Sequence, residues 1–214
     1  MRRVGSLAIL AAILCLPAGG FAATSTKSWL SVADAQLPEL QVEAPGPMTG
    51  YSRAKFGPAW HDVDHNGCDT RNDMLKRDLR FKVFKVGSDC VVQKGTLHDP
   101  YTGTTIHFVR GVGTSAAVQI DHVVALGNAW RSGAATWRAA RRLAYANDPV
   151  VLLAVDGPSN EAKGDDDAAQ WVPPLKSYDC RYAARQIAIK TKYDLSLTQP
   201  EHDTMTNLLA ACKR

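Results

Sequence analysis

Short blocks of apolar residues punctuate the chain, and two of them frame its middle. Val118-Gln119-Ile120-Asp121-His122-Val123-Val124-Ala125-Leu126 reads as a strand running into a turn, and Asn147-Asp148-Pro149-Val150-Val151-Leu152-Leu153 leads into a second strand. Upstream, Phe81 to Val86 and Thr104 to Val109 carry β-branched and aromatic residues and predict two more strands. Asp99-Pro100-Tyr101-Thr102-Gly103 is a turn, with Pro fixing φ and Gly allowing a positive φ, and these strands are expected to pair beside the central hairpin. Helical periodicity occupies Arg71 to Arg80, with Thr70 as a hydroxyl cap and Asp73 in the first turn, and Trp130 to Tyr145 between the two central strands. Cys180 to Tyr193 and Leu197 to Cys212 predict two antiparallel helices, the second opened by a capping box of Thr198 and Glu201. The fold class expected is α+β.

The ends of the chain change the picture. Arg2 and Arg3 precede an apolar run from Leu7 to Leu16 that is too short to span a bilayer comfortably, and Gly20-Phe21-Ala22 offers small residues for cleavage. Residues 1–22 are therefore expected to be a secretory signal, with an uncleaved anchor as the alternative. Cys15 follows Leu14, not the small residue a lipoprotein signal prefers, so no lipid anchor is expected. No later segment is apolar for long enough to cross a membrane. Residues 23–50, with Pro38, Pro45, Gly46 and Pro47, read as a linker whose first part, carrying Trp29 and Leu30, docks on the core. Residues 51–214 are left as one domain, long enough for a sizeable core and expected to be a monomer. A secreted, extracellular or cell-envelope location follows from the leader.

Four cysteines remain beyond it: Cys68, Cys90, Cys180 and Cys212. An even number in an exported chain points to two disulfides. Cys68 with Cys90 and Cys180 with Cys212 is the favoured pairing because each closes a local loop; a zinc site is the alternative, but no C-x-x-C spacing supports it. The formal net charge is +4, and Arg2 and Arg3 supply half of it. So weak a basic bias permits a polyanionic partner without requiring one. Arg138, Arg141 and Arg142, on the helix between the central strands, are the candidate phosphate contacts; Arg181, Arg185, Lys190 and Lys192 read as solvated faces.

The chemistry concentrates between Val118 and Lys163. Asp121-His122 at the end of an apolar strand, a second strand, and then Asn160-Glu161-Ala162-Lys163 place a hard metal ligand beside a base. Any one of these residues has a plainer reading: a surface pair, a helix cap at Asn160, a solvated charge at Lys163. Their order resembles that of the HNH, or ββα-metal (His-Me finger), endonucleases, in which a hairpin carries the Asp-His pair and the following helix the third residue. The resemblance implies a ββα-metal core with additional strands and flanking helices. It implies that Asp121 and Asn160 hold a divalent metal, magnesium or manganese, that His122 is the general base, that Lys163 faces the phosphate and that Asn147 ties the loop to the second strand. The products would carry 5′-phosphate and 3′-hydroxyl ends. A departure is the long, helical-looking gap between the strands, which makes Asn147 the weakest match. The acids Asp165, Asp166 and Asp167 read mainly as a solvated helix edge, Asp165 being the one nearest the motif.

A second informative stretch precedes the first predicted strand. Trp60, Asp62, Asp64, Asn66-Gly67-Cys68-Asp69-Thr70-Arg71-Asn72 is similar to the N-terminal region of secreted bacterial HNH proteins. Asp62, Asp64, Asn66 and, eleven residues after the first, Asp73 also match a calcium loop in spacing, with Gly67 at the sharp turn. Against calcium, the last ligand is Asp instead of Glu and no clear helix precedes Asp62. A structural turn stapled by Cys68 and a direct role for Arg71 or Asp73 in the active site stay open beside it. His98 and His107 have no partner at motif spacing and read as surface or packed histidines. The function expected is a secreted metal-dependent endonuclease acting on DNA, and by extension RNA, with low sequence specificity. The alternative is a noncatalytic, disulfide-stapled, calcium-binding secreted module.

Overall fold

A computed structural model describes residues 27–213. The leader read over 1–22, with Cys15 inside it, lies outside the described residues, as do 23–26 of the segment that follows.

The two central strands are β4 (Val118–His122) and β5 (Leu152–Asp156), an antiparallel pair in which Asp121 faces Leu153 and His122 faces Leu152. They are apolar in blocks because both faces are covered. Val118, Ile120, Leu152 and Ala154 join one core cluster, whereas Val151, Val155 and, just past the strand, Val123 join another. Asp156 ends β5 and caps the helix α5 (Gly157–Lys163), accepting from the Ser159 amide at 2.9 Å, with Pro158 in the first turn. Two antiparallel strands followed by a helix that packs on both of them are thus present. The expected helix between the strands is two helices, α3 (Leu126–Arg131) and α4 (Ala139–Ala146), separated by a 3-10 turn over Ala134–Thr136.

The other strands form a separate sheet. β1 (Arg80–Phe84), β2 (Val92–His98) and β3 (Thr105–Val109) are antiparallel in the order β1-β2-β3 and do not pair with the hairpin. β2 has no counterpart among the predicted strands. Lys94 and Gly95 interrupt its alternation, and a Cβ at Gly95 would come within 2.6 Å of the Leu79 side chain, so the strand gives up a side chain to let α2 (Thr70–Asp78) and its exit approach. The cap of α2 also differs from the expected Thr70: Asp69 accepts from the Asn72 amide at 2.8 Å, while the Thr70 hydroxyl donates to the His61 carbonyl.

The segment read as a linker over 23–50 is, in its described part, helix α1 (Lys27–Gln36) packed on α6 (Asp179–Tyr193). Trp29, Ala33 and Leu37 recur every fourth residue, and the last two are buried. Beyond them the chain stays attached through Glu43 N to Leu197 O and Gly46 N to Arg131 O. Helices α6 and α7 (Gln199–Ala211) are antiparallel, and Cys180–Cys212 joins the start of one to the end of the other. Cys68–Cys90 ties the turn before α2 to the entry of β2. Both disulfides are the pairs expected, each worth about 3 kcal/mol on the chain-entropy model. Thr198 caps α7 by accepting from Glu201 N, but Glu201 does not complete the box. It is buried and faces Lys190 Nζ at 3.1 Å, joining α7 to α6.

Asp148, in the loop before β5, fastens that loop to the end of α6. Burial alone would raise its carboxyl pKa, but Lys192 Nζ at 2.5 Å, the Val150 amide at 2.9 Å and the Tyr193 hydroxyl at 2.7 Å outweigh it and hold the group below the ordinary carboxylate range. A pKa lower in the folded than in the unfolded state stabilises above the unfolded value and ceases to do so as pH falls through the folded one. Asp148→Asn is therefore expected to lower the melting temperature at neutral pH, and the gap to wild type should close below about pH 4. A gap that stays constant from neutral to acid pH, measured by circular dichroism, would remove this anchor from the account.

Candidate active site

Successive strand side chains point to opposite faces, yet Asp121 and His122 line the same cleft. His122 is the last residue of β4, and the chain turns away there. The cleft measures about 240 Å³ and also receives Arg53, Gln119, Asn160 and Asp165.

Asp121 is 4% exposed. Its Oδ2 accepts from the Tyr101 hydroxyl at 2.5 Å and its Oδ1 from Lys163 Nζ at 2.8 Å. Burial and then the charge of Asp121 push the Tyr101 phenol well above its ordinary pKa, so it stays a donor. Lys163 is 1% exposed and also donates to the His122 carbonyl at 3.0 Å. The expectation that it faces the phosphate is thereby corrected. α5 places its ammonium beneath the end of β4, where it balances a carboxylate that would be costly to bury alone.

His122 Nε2 lies 2.9 Å from the Ala146 carbonyl. A carbonyl only accepts, so Nε2 carries the proton and Nδ1 keeps its lone pair. Burial lowers the imidazole pKa to about 4, against the raising effects of the Ala146 carbonyl and Asp121, with Arg53 and Lys163 adding to the fall. The ring is neutral at ordinary pH and presents Nδ1 as a proton acceptor.

Asn160 is oriented by a relay. The Glu161 carboxylate accepts from Gln119 Nε2 at 2.7 Å, which turns Gln119 Oε1 toward Asn160, and Asn160 Nδ2 donates to it at 2.8 Å. Asn160 is left with Oδ1 for the cleft. Asp165, at the rim, accepts from Gly127 N at 3.1 Å; a Cβ at Gly127 would fall 2.4 Å from that carboxylate, so only glycine admits it. Asp165 lines the cleft while staying exposed, Asp166 is half-buried and only Asp167 is buried, so the solvated edge expected holds in part.

The donors in the cleft are hard oxygens. The Asp121 carboxylate has four lone-pair sites with two in use, and Asn160 adds Oδ1, a set that suits a divalent ion retaining much of its water. It does not suit a closed structural zinc site: the four cysteines are in disulfides, and among the described residues no three His, Cys, Asp or Glu side chains gather to hold a metal.

Other expected residues lie elsewhere. Arg71 donates to the Ser115 and Val118 carbonyls; Arg141 donates to the Tyr193 carbonyl and Asp194; Arg142 donates to the carbonyls of Lys55, Ala134 and Trp137. These guanidiniums fasten segments together, and none of the three lines the cleft. Arg138 is exposed at the far end of α4, roughly 12 Å along the helix from Ala146. Asp62, Asp64, Asn66 and Asp73 do converge, but on the Asn66 amide: Nδ2 donates to Asp64 at 3.0 Å and Asp73 at 3.2 Å, its backbone N–H donates to Asp62 and Asp64, and Oδ1 accepts from Cys68 N. The loop is closed on itself as a turn. Asn147 is 1% exposed; its Nδ2 donates to the Leu143 carbonyl at 3.0 Å, and its Oδ1 is buried with no partner among the described residues.

Arg53, which lines the cleft, and Tyr101, which is buried behind it and holds Asp121, are site residues that sequence reasoning did not single out. Tyr101 looks like turn filler in Pro-Tyr-Thr-Gly, and only its being an aromatic in a polar turn hinted at a buried role. Arg53 lies far upstream of the motif and had no signal at all.

Residues 69–208 match the family model described as GmrSD restriction endonucleases, C-terminal domain. The chain is also 41% identical over 185 residues to a protein of Arthroderma benhamiae named "Uncharacterized secreted protein", a match covering 85% of each chain. No solved structure matches.

The placement of Lys163 predicts a stability effect that a solvent-facing phosphate ligand would not have. Lys163→Met should lower the unfolding free energy by about 3–5 kcal/mol by leaving Asp121 buried and unpaired, and adding Asp121→Leu should recover much of that. Urea titration of the single and double variants measures it. A single variant within about 0.5 kcal/mol of wild type would return Lys163 to the surface.

Proposed function

The chain belongs to the family of the GmrSD restriction endonuclease C-terminal domain, and on that premise we propose that it is a secreted, metal-dependent endonuclease of DNA, and of RNA, with low sequence specificity. The observation that carries this reading is a neutral histidine, protonated on Nε2, lining a cleft that a buried carboxylate and an amide side chain also line. Export is supported by the name of the Arthroderma benhamiae relative and by the two disulfides. Among the described residues no helix is long and apolar enough to cross a membrane.

His122 Nδ1 takes the proton of a water attacking the phosphorus, while Nε2–H stays on the Ala146 carbonyl and spreads the new positive charge onto it. The P–O3′ bond breaks as the new P–O bond forms, leaving a 5′-phosphate and a 3′-oxygen that is protonated by solvent. Tyr101 and Lys163 hold the two Asp121 oxygens in place, and the Gln119–Glu161 relay does the same for Asn160. A magnesium or manganese ion held by Asp121 and Asn160 would supply charge neutralisation at the scissile phosphate. Arg53, exposed at the same cleft, pairs with a phosphate oxygen.

Plasmid cleavage across a magnesium or manganese titration separates these jobs. His122→Ala should cut about 10²- to 10⁴-fold more slowly at every metal concentration. Asp121→Ala and Asn160→Ala should instead need more metal, Asn160→Ala less severely because water can replace a neutral ligand. Wild-type cleavage by folded His122→Ala, or no cleavage of DNA or RNA by the intact protein with any divalent ion, would sink the endonuclease reading.

A further inference from the structure

On the other side of His122 lies a second cavity, of about 250 Å³, whose lining is mainly apolar. It shares His122 and Arg53 with the catalytic cleft and is closed by Pro58, Trp60 and Asn147. Trp60 is held in the left-handed region at φ 58°, a conformation a bulky side chain adopts only when its surroundings enforce it. Arg71, pinned on the Ser115 and Val118 carbonyls, sits 6.0 Å from its ring centroid. Asn147 also borders this cavity, its Oδ1 buried away from solvent and without a partner among the described residues.

We propose that this cavity is a nucleobase subsite, taking the base of the nucleotide next to the scissile phosphate; the inference rests on the endonuclease reading. A phosphate beside His122 and Arg53 puts its neighbouring base within reach of a cavity that borders the same two residues. The apolar and aromatic lining suits a planar ring, and the volume, below the roughly 300–1,000 Å³ of drug-sized sites, suits one ring system. A base stacked inside a duplex cannot enter, so the nucleotide beside the cut is unpaired, either single-stranded or turned out of its helix.

Short single-stranded thymidine oligonucleotides carrying one 2-aminopurine, a fluorescent purine, test this with the full protein. Binding is read in EDTA and cut positions are mapped in magnesium or manganese. Asn147→Ala would also lose the tie to Leu143, so the blocking variant is Ala54→Leu, at an exposed position on the cavity wall. The wild type should quench the probe on binding, bind it about 3- to 10-fold more tightly than an all-thymidine oligonucleotide because a purine stacks better than thymine in an aromatic-lined cavity, and cut beside the probe. Ala54→Leu should lose the quenching and the clustering of cuts. Cleavage without quenching or clustering overturns the subsite and leaves the endonuclease reading standing. Quenching without cleavage under any divalent ion overturns the endonuclease reading and leaves a base-binding pocket; neither signal overturns both.

Discussion

Two adjacent ionisable side chains, Asp121 and His122, are both buried at the end of one strand, and much of the surrounding structure answers that constraint. A carboxylate and an imidazole removed from water each need a partner of fixed position. Asp121 finds two, from the turn after β2 and from the last turn of α5; His122 finds one at the end of α4. The partners lie 20, 42 and 24 residues away in the chain. The site is therefore assembled by the same long-range contacts that close the core, and neither the hairpin nor α5 can be displaced without stranding a charge. The Asp148 cluster extends the arrangement outward, holding the end of α6 against the loop that follows Ala146 and Asn147.

The way His122 is satisfied shapes what it can do. Donation to a carbonyl selects the tautomer, and burial keeps the ring neutral where most histidines are part-charged. The consequence is weaker basicity: a base near pKa 4 is always ready to accept a proton, yet accepts it less avidly than one poised near 7. A bound phosphodiester brings negative charge close to the ring, which favours the imidazolium, whereas a divalent ion on the neighbouring Asp121 would act the other way.

The motif order, read through its resemblance to the HNH endonucleases, grouped Asp121, His122 and Asn160, which line one cleft, and the count and placement of the four cysteines beyond the leader indicated the two pairs found. What failed was orientation. Lys163 was assigned outward because lysine is ordinarily solvated, and nothing local shows that a carboxylate two strands away needs its charge. Arg141 and Arg142 were expected to contact phosphates and Arg71 to have a place in the active site, and each donates to backbone carbonyls of remote segments. β2 was hidden by Gly95, whose missing side chain is the very feature that lets Leu79 approach, and α1 by the prolines that follow it. Tyr101 and Arg53 reach the site only through tertiary structure, so no spacing rule could have found them.

The central claim is that His122 is a neutral imidazole, protonated on Nε2 and unprotonated on Nδ1. Long-range ¹H–¹⁵N correlation spectra of histidine-labelled protein, assigned by comparison with His122→Gln, read both ring nitrogens directly. The account predicts a protonated Nε2 and an unprotonated Nδ1 for His122 at neutral pH, with titration only as the solution approaches about pH 4. A proton on Nδ1 at neutral pH, or titration at the ordinary value of about 6.5, would contradict it.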